Sequence, residues 1–153
     1  MNEITPSASC TLSRRDIRSI IFHLLYALES LEYSASAQSV ALGFNSEYDM
    51  CIPVDGEIIS TVTSVVDKRV ELDDYLLPFL ANWRLERLGC CTRLIVRLAL
   101  WEMLYTDTPS TIVINEAIEL AKCFSEKDAY KFVNGILDEV AKKLDKEKQE
   151  TPQ

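Results

Sequence analysis

Arg14, Arg15 and Arg18 stand close together near the start of the chain, and Phe22 and Tyr26 follow at four-residue intervals. At helical spacing these five residues share one flank beside an apolar stripe. Arginine supplies a permanent charge and forked donors suited to phosphate, and an aromatic ring supplies a face on which an unpaired base can stack. The same residues also describe a solvated basic helix start whose aromatics finish a core, and spacing does not choose between the two. Asp16 dilutes the positive charge. Arginines in a first turn oppose the helix dipole, so their placement there asks for another reason. A second cluster lies near the other end. Phe132 sits on the rim of the stripe Val133, Ile136, Leu137 and Val140, one turn from Asp128 and next to Lys131. Gly135, inside the same helix, costs roughly 1 kcal/mol relative to alanine. That cost points to close approach of a ligand or another backbone, the plain alternative being a Phe132 in the core and a Gly135 under a neighbouring helix.

Catalytic chemistry has no comparable foothold. The four glycines form neither a dinucleotide fingerprint nor a phosphate loop. His23, the only histidine, lies in an apolar helix with no nucleophile or orienting partner in its pattern and reads as a residue at the core's edge. Cys90 and Cys91 follow Gly89 near a helix start, where a thiolate can be favoured, but adjacent residues cannot both face one site. Glu116 and Glu119, three apart, have the spacing of solvated charge on one helix face. The five cysteines show no CxxC pair and read as reduced thiols. The expectation is a protein that is not an enzyme, with no metal and no cofactor.

Helices must position these residues. Ile17, Ile20, Ile21, Leu24, Leu25, Leu28 and Leu31 mark a long amphipathic helix opening near Ser13. A weaker helix is expected over 35–42, stopped by Gly43, with a loop over 44–55. Residues 57–70 are rich in β-branched side chains, but their spacing predicts a helix. Short helices follow over 74–80 and 83–88, the second capped by Asn82. Residues 91–105 are apolar nearly all round, so that helix should be central and buried. Thr108-Pro109 suits the start of a helix running to about Cys123. Ser125 and Asp128 resemble a capping box for a last helix to about Leu144. The sum is an all-α domain of about seven helices over 13–144, with a flexible segment 1–12 and a charged, frayed tail 145–153.

At 153 residues, 48% hydrophobic and 26% charged, the chain has the balance of one globular domain. No apolar run approaches the roughly 18 residues of a membrane span, and the start lacks a secretory pattern, so a cytoplasmic protein is expected. The net charge of -8 argues against a protein that coats nucleic acid without selectivity. Residues 29–75 carry ten acids and two bases, and the rest balances at fourteen of each. A local basic surface is therefore compatible with the total, and the acidic stretch could face a basic protein.

The segment Ile114-Asn115-Glu116-Ala117-Ile118-Glu119-Leu120-Ala121-Lys122, followed by Lys131-Phe132-Val133-Asn134-Gly135-Ile136-Leu137-Asp138, closely resembles the carboxy-terminal signature of the NusB family. Asn82-Trp83-x-Leu85-Glu86-Arg87-Leu88, then Leu94-Ile95-x-Arg97-Leu98-Ala99-Leu100-Trp101-Glu102, is similar as well, as is the arginine-rich opening with Leu25-Tyr26. The resemblance spans about 13–144. It implies a helical fold of two packed halves and a transcription antitermination role. The protein would bind single-stranded boxA RNA together with NusE, a small ribosomal-subunit protein, and modify RNA polymerase on ribosomal RNA operons. By resemblance Arg14, Arg15 and Arg18 contact RNA, with Tyr26, Phe124, Asp128, Lys131 and Phe132 completing the surface and Glu116 at its edge; the opening arginines and the Phe132 rim form a shared groove. An aspartate fits such a site because a carboxylate accepts from base amino groups. Glu86 and Thr92 face NusE. Relatives differ in oligomeric state, so monomer and homodimer both stand open.

The chain departs from the family pattern at Asp16, often basic in relatives, His23, usually glutamine, Thr92, often acidic, and Ser125, usually glycine. Weak RNA binding without NusE is the expected consequence. Two rivals remain: a helical protein-interaction module that has lost RNA binding, and a NusB-like domain related to those of RNA cytosine methyltransferases. The second needs a glycine-rich methyl-donor domain, of which this sequence shows none.

Overall fold

The computed structural model describes residues 12–80 and 85–150. Among them lie seven α-helices and two short 3-10 turns, with no strand. The chain divides into two compact units, the break falling between Val66 and Asp67.

The first unit holds α1 (Arg14–Ser30), α2 (Ala37–Tyr48) and α3 (Glu57–Asp67), whose last residue falls past the break. α1 begins where expected. Ser13 accepts from the Asp16 amide at 3.1 Å, and the Asp16 carboxylate accepts from the Ser13 amide at 3.2 Å, a complete capping box. Asp16 is thus a helix-starting residue, and its negative charge in the first turn offsets the dipole that the arginines oppose. The buried face of α1 is Ile20, Ile21, Leu24, Leu25 and Leu28, as its period requires. α2 runs through Gly43, which was expected to stop it, and ends at Asp49 in the left-handed conformation (φ 51°). The loop beyond is held by Asn45, whose side-chain amide donates to the Ile52 carbonyl at 2.9 Å and accepts from its amide at 2.8 Å. Residues 57–67 are helical despite their β-branched content, because Ile58, Ile59, Val62 and Val65 fall on one buried face.

The second unit holds α4 (Arg69–Leu76), α5 (Cys90–Tyr105), α6 (Ser110–Phe124) and α7 (Ala129–Glu150). The helix expected over 74–80 is instead the end of α4 and a 3-10 turn, Leu77–Phe79, which Pro78 suits. Of the helix expected over 83–88, Asn82 and Trp83 lie outside the described residues, and Leu85–Arg87 is a 3-10 turn. α5 is the central helix: every residue from Leu94 to Leu100 is buried, and α4, α6 and α7 all pack against it. Each such aliphatic side chain contributes roughly 2 kcal/mol on leaving water. Arg97 sits in that run and pairs with Asp73 of α4 through Nε–Oδ1 at 2.9 Å and Nη2–Oδ2 at 2.8 Å. α7 continues past Leu144, where a frayed tail was expected, to Glu150, with Lys142–Asp138 and Lys143–Glu147 pairs along its exposed side. None of the described helices is long and apolar enough to cross a membrane.

Candidate nucleic-acid interface

In the first unit, the flank of arginines and aromatics is divided by burial. Arg14 and Arg15 are exposed, and Tyr26 is 44% exposed. Arg18 is only 8% exposed and Phe22 2%. One turn separates Arg18 from Ile21 and Phe22, so its aliphatic stem follows the buried stripe. Arg14 pairs with Glu57 at the start of α3, Nη1–Oε1 2.9 Å, an exposed contact of the kind worth little to stability. His23 is exposed, with Nδ1 2.7 Å from the Ser19 carbonyl and its ring edge-on to Phe22.

In the second unit, the α6–α7 connection meets the start of α5. An open cavity of about 300 Å³ lies there, lined by Arg87, Leu88, Gly89, Thr92, Glu126, Lys127, Asp128, Ala129 and Phe132. The expected capping box at its edge is absent. Ser125 instead ends α6, its amide bonded to the Ala121 carbonyl at 2.9 Å, and α7 starts only at Ala129. Between them Asp128 adopts a left-handed φ of 68°, a region that aspartate tolerates better than most residues. Its carbonyl accepts from the Lys131 amide at 3.1 Å, and its carboxylate lies 3.7 Å from Lys131 Nζ. Across the connection, Lys122 Nζ sits 5.1 Å from the Tyr130 ring centroid, bracing the end of α6 against the start of α7.

Thr92 and Phe132, expected to serve different ligands, line this one cavity together with Asp128. Phe132 is half-buried and presents part of its ring. Thr92 is 2% exposed; its hydroxyl lies 3.1 Å from Ser125 Oγ and 3.3 Å from Glu126 Oε2. Glu86 is exposed beside the cavity wall, in the turn that carries Arg87. Phe124, 39% exposed, Lys131, exposed, and Glu116, half-buried, are outside the lining. Gly135 is exposed, and a methyl group there would meet nothing within 4 Å, so it makes no close approach to another part of the chain.

Sequence reasoning missed Arg87, Gly89, Glu126 and Lys127. The polar run Ser125-Glu126-Lys127-Asp128 between two apolar-periodic helices was the available signal, because connections of that kind carry function more often than the helices they join. The Cys91 thiol, on the first turn of α5, has its pKa raised by burial first and then by Cys90 and Glu126, so the helix start does not activate it.

The sequence pattern of the NusB family matches residues 15–142. The transcription antitermination protein NusB of Macrococcus caseolyticus is 38% identical over 86% of this chain and 98% of its own length. Its counterpart in Staphylococcus epidermidis is 40% identical over 84% and 98%. A solved structure of T. maritima NusB superposes with a TM-score of 0.75 at 28% identity, covering 86% of this chain and 92% of that one. The all-α fold and the matched sequence agree, and the chain belongs to the NusB family.

Proposed function

We propose that this protein is a transcription antitermination factor that binds single-stranded boxA-type RNA together with NusE and acts on RNA polymerase at ribosomal RNA operons, in the cytoplasm. The role is one of binding, with no catalytic step. The observation that carries it is the cavity rim, where an aromatic face (Phe132), a carboxylate (Asp128) and two cations (Arg87 and Lys127) line one cavity. An unpaired base can stack on the ring and donate an amino hydrogen to the carboxylate, while the cations suit phosphate. Phe124 and Lys131 extend this surface, and Glu116 stands at its edge. Arg14, Arg15 and Tyr26 of α1 supply further RNA contacts. Arg18, 8% exposed, is the innermost of the α1 residues in this reading. Glu86 and Thr92 belong to the NusE side.

The test is fluorescence anisotropy of a labelled boxA-type RNA with and without purified NusE. NusE should tighten binding at least about tenfold, since each ligand orders part of the surface the other needs. Arg15→Ala should weaken RNA binding about fivefold without lowering the melting temperature. Equal affinities with and without NusE would reject the partner dependence. A second reading, a protein-interaction module without RNA binding, is favoured by the burial of Arg18 and the Arg14–Glu57 pair. It would be adopted if NusE bound and RNA did not.

A further inference from the structure

The cavity contains one charged group to which the RNA reading gives no task, Glu126. Three observations describe how it is held. Its carboxylate lies against the N-terminal turn of α5, where Gly89 is the cap residue, and a β-carbon at position 89 would overlap it. The buried Thr92 hydroxyl reaches Oε2 at 3.3 Å and Ser125 Oγ at 3.1 Å, sharing its single proton between them. Glu126 is otherwise exposed, and among the described residues it has no ion pair, although Arg87 and Lys127 line the same cavity. A carboxylate has about four acceptor sites, and this one uses a single long hydrogen bond. Gly89 leaves it room and Thr92 donates to it, at a place where Glu126 lines the cavity.

We propose that Glu126 is the carboxylate through which this protein recognises a cationic side chain, an arginine or lysine, of its protein partner, with Thr92 and Gly89 as the positioning residues that seat it. The inference rests on the reading that the chain works with the basic protein NusE. It assigns the contact to Glu126, because Thr92 is buried and its hydroxyl is already engaged with Ser125 and Glu126. A fixed negative charge suits a basic protein and repels the phosphates of an RNA strand. Seating by neighbours keeps the carboxylate pre-organised, so little side-chain freedom is lost when the cation arrives. The thiol beside it reports the same event. Glu126 is one of the charges that raise Cys91, after burial and Cys90, so a cation docked on Glu126 lowers the pKa of Cys91.

The experiment measures NusE affinity by calorimetry for the full chain and for Glu126→Gln, Gly89→Ala and the double variant, alongside RNA affinity without NusE and thermal unfolding. Glu126→Gln keeps the shape and removes the charge; NusE affinity should fall roughly five- to tenfold and lose part of its salt dependence, as loss of an interfacial charge does. Gly89→Ala displaces only the flexible end of Glu126, and its backbone φ of -57° accommodates alanine. It should reproduce the loss, with little further loss in the double variant. Unchanged NusE affinity in Glu126→Gln overturns the proposal, as does a loss of melting temperature with no loss of affinity, which would make Glu126 only a cap for α5. An equal fall in RNA affinity without NusE also overturns it, because the carboxylate would then be reading a base. Failure of NusE to bind the unaltered chain removes the functional reading itself, and the assignment of Glu126 with it.

Discussion

At the scale of single residues, polar groups inside this fold fall into two kinds. Arg97 is deeply buried but satisfied by both oxygens of Asp73, a forked pair that holds α4 on α5. Tyr75 is not satisfied. Its hydroxyl is buried without a hydrogen-bond partner among the described residues, and its pKa is raised by desolvation and then by Glu147. Its ring nevertheless stacks on Phe79, and Lys143 Nζ lies 5.0 Å from its centroid. The ring holds the contacts and the oxygen contributes none, so Tyr75→Phe should leave the fold intact. It should raise stability by about 1 kcal/mol, the lower end of the penalty for an unpaired buried polar atom. Urea unfolding gives that number, and a loss of stability would show that the hydroxyl has a partner, such as a water, in solution. Asp73 was legible only as one charge in an acidic stretch, since nothing local to it indicates that Arg97 claims it.

At the scale of elements, apolar period identifies the long helices well, whereas glycine marks no stop at Gly43 and no backbone contact at Gly135. α2 passes through Gly43, and a methyl group at either site would meet nothing within 4 Å, which leaves a ligand as the remaining approach expected at Gly135. Both residues therefore carry the backbone-entropy penalty of glycine in a helix with no compensating contact among the described residues. Gly43→Ala and Gly135→Ala should each stabilise the protein by about 0.5–1 kcal/mol, seen as a higher melting temperature. The two differ in what they report about function. If Gly135→Ala is stabilising and also weakens RNA or NusE binding, the space over that turn is filled by a ligand, which would give the glycine its purpose. If binding is unchanged for both, neither glycine serves recognition. The misplaced capping box at Ser125 and Asp128 has a similar cause. The right residue types were present at the right spacing, but Ser125 was already committed to ending α6 and to the Thr92 hydroxyl.

At the scale of the whole molecule, electrostatics bound how RNA can be held. The net charge is -8, and the exposed cations among the residues proposed to contact RNA are Arg14, Arg15, Arg87, Lys127 and Lys131. Of these, Arg14 and Lys131 already have carboxylates beside them. Neutralising three to five phosphates of a single strand gives a slope of about -2 to -3.5 for log K against log salt. RNA titrations without NusE between roughly 50 and 300 mM salt should therefore show a shallow slope. A slope steeper than about -4 would mean that more cations than these five meet phosphate.

The amino-acid sequence determined the long helices α1, α5 and α6, the burial of α5, the Ser13 start of α1 and the family signature, because each is written in spacings of three or four residues or in a contiguous motif. Tertiary structure alone decided which charges are spent internally and which face outward. Arg14 meets Glu57 across 43 positions, Thr92 meets Glu126 across 34, and Arg97 meets Asp73 across 24. A helical period says which face is apolar, but it cannot say which distant side chain arrives at that face. For that reason the seat of Glu126 between Gly89 and Thr92 was invisible until the chain was folded.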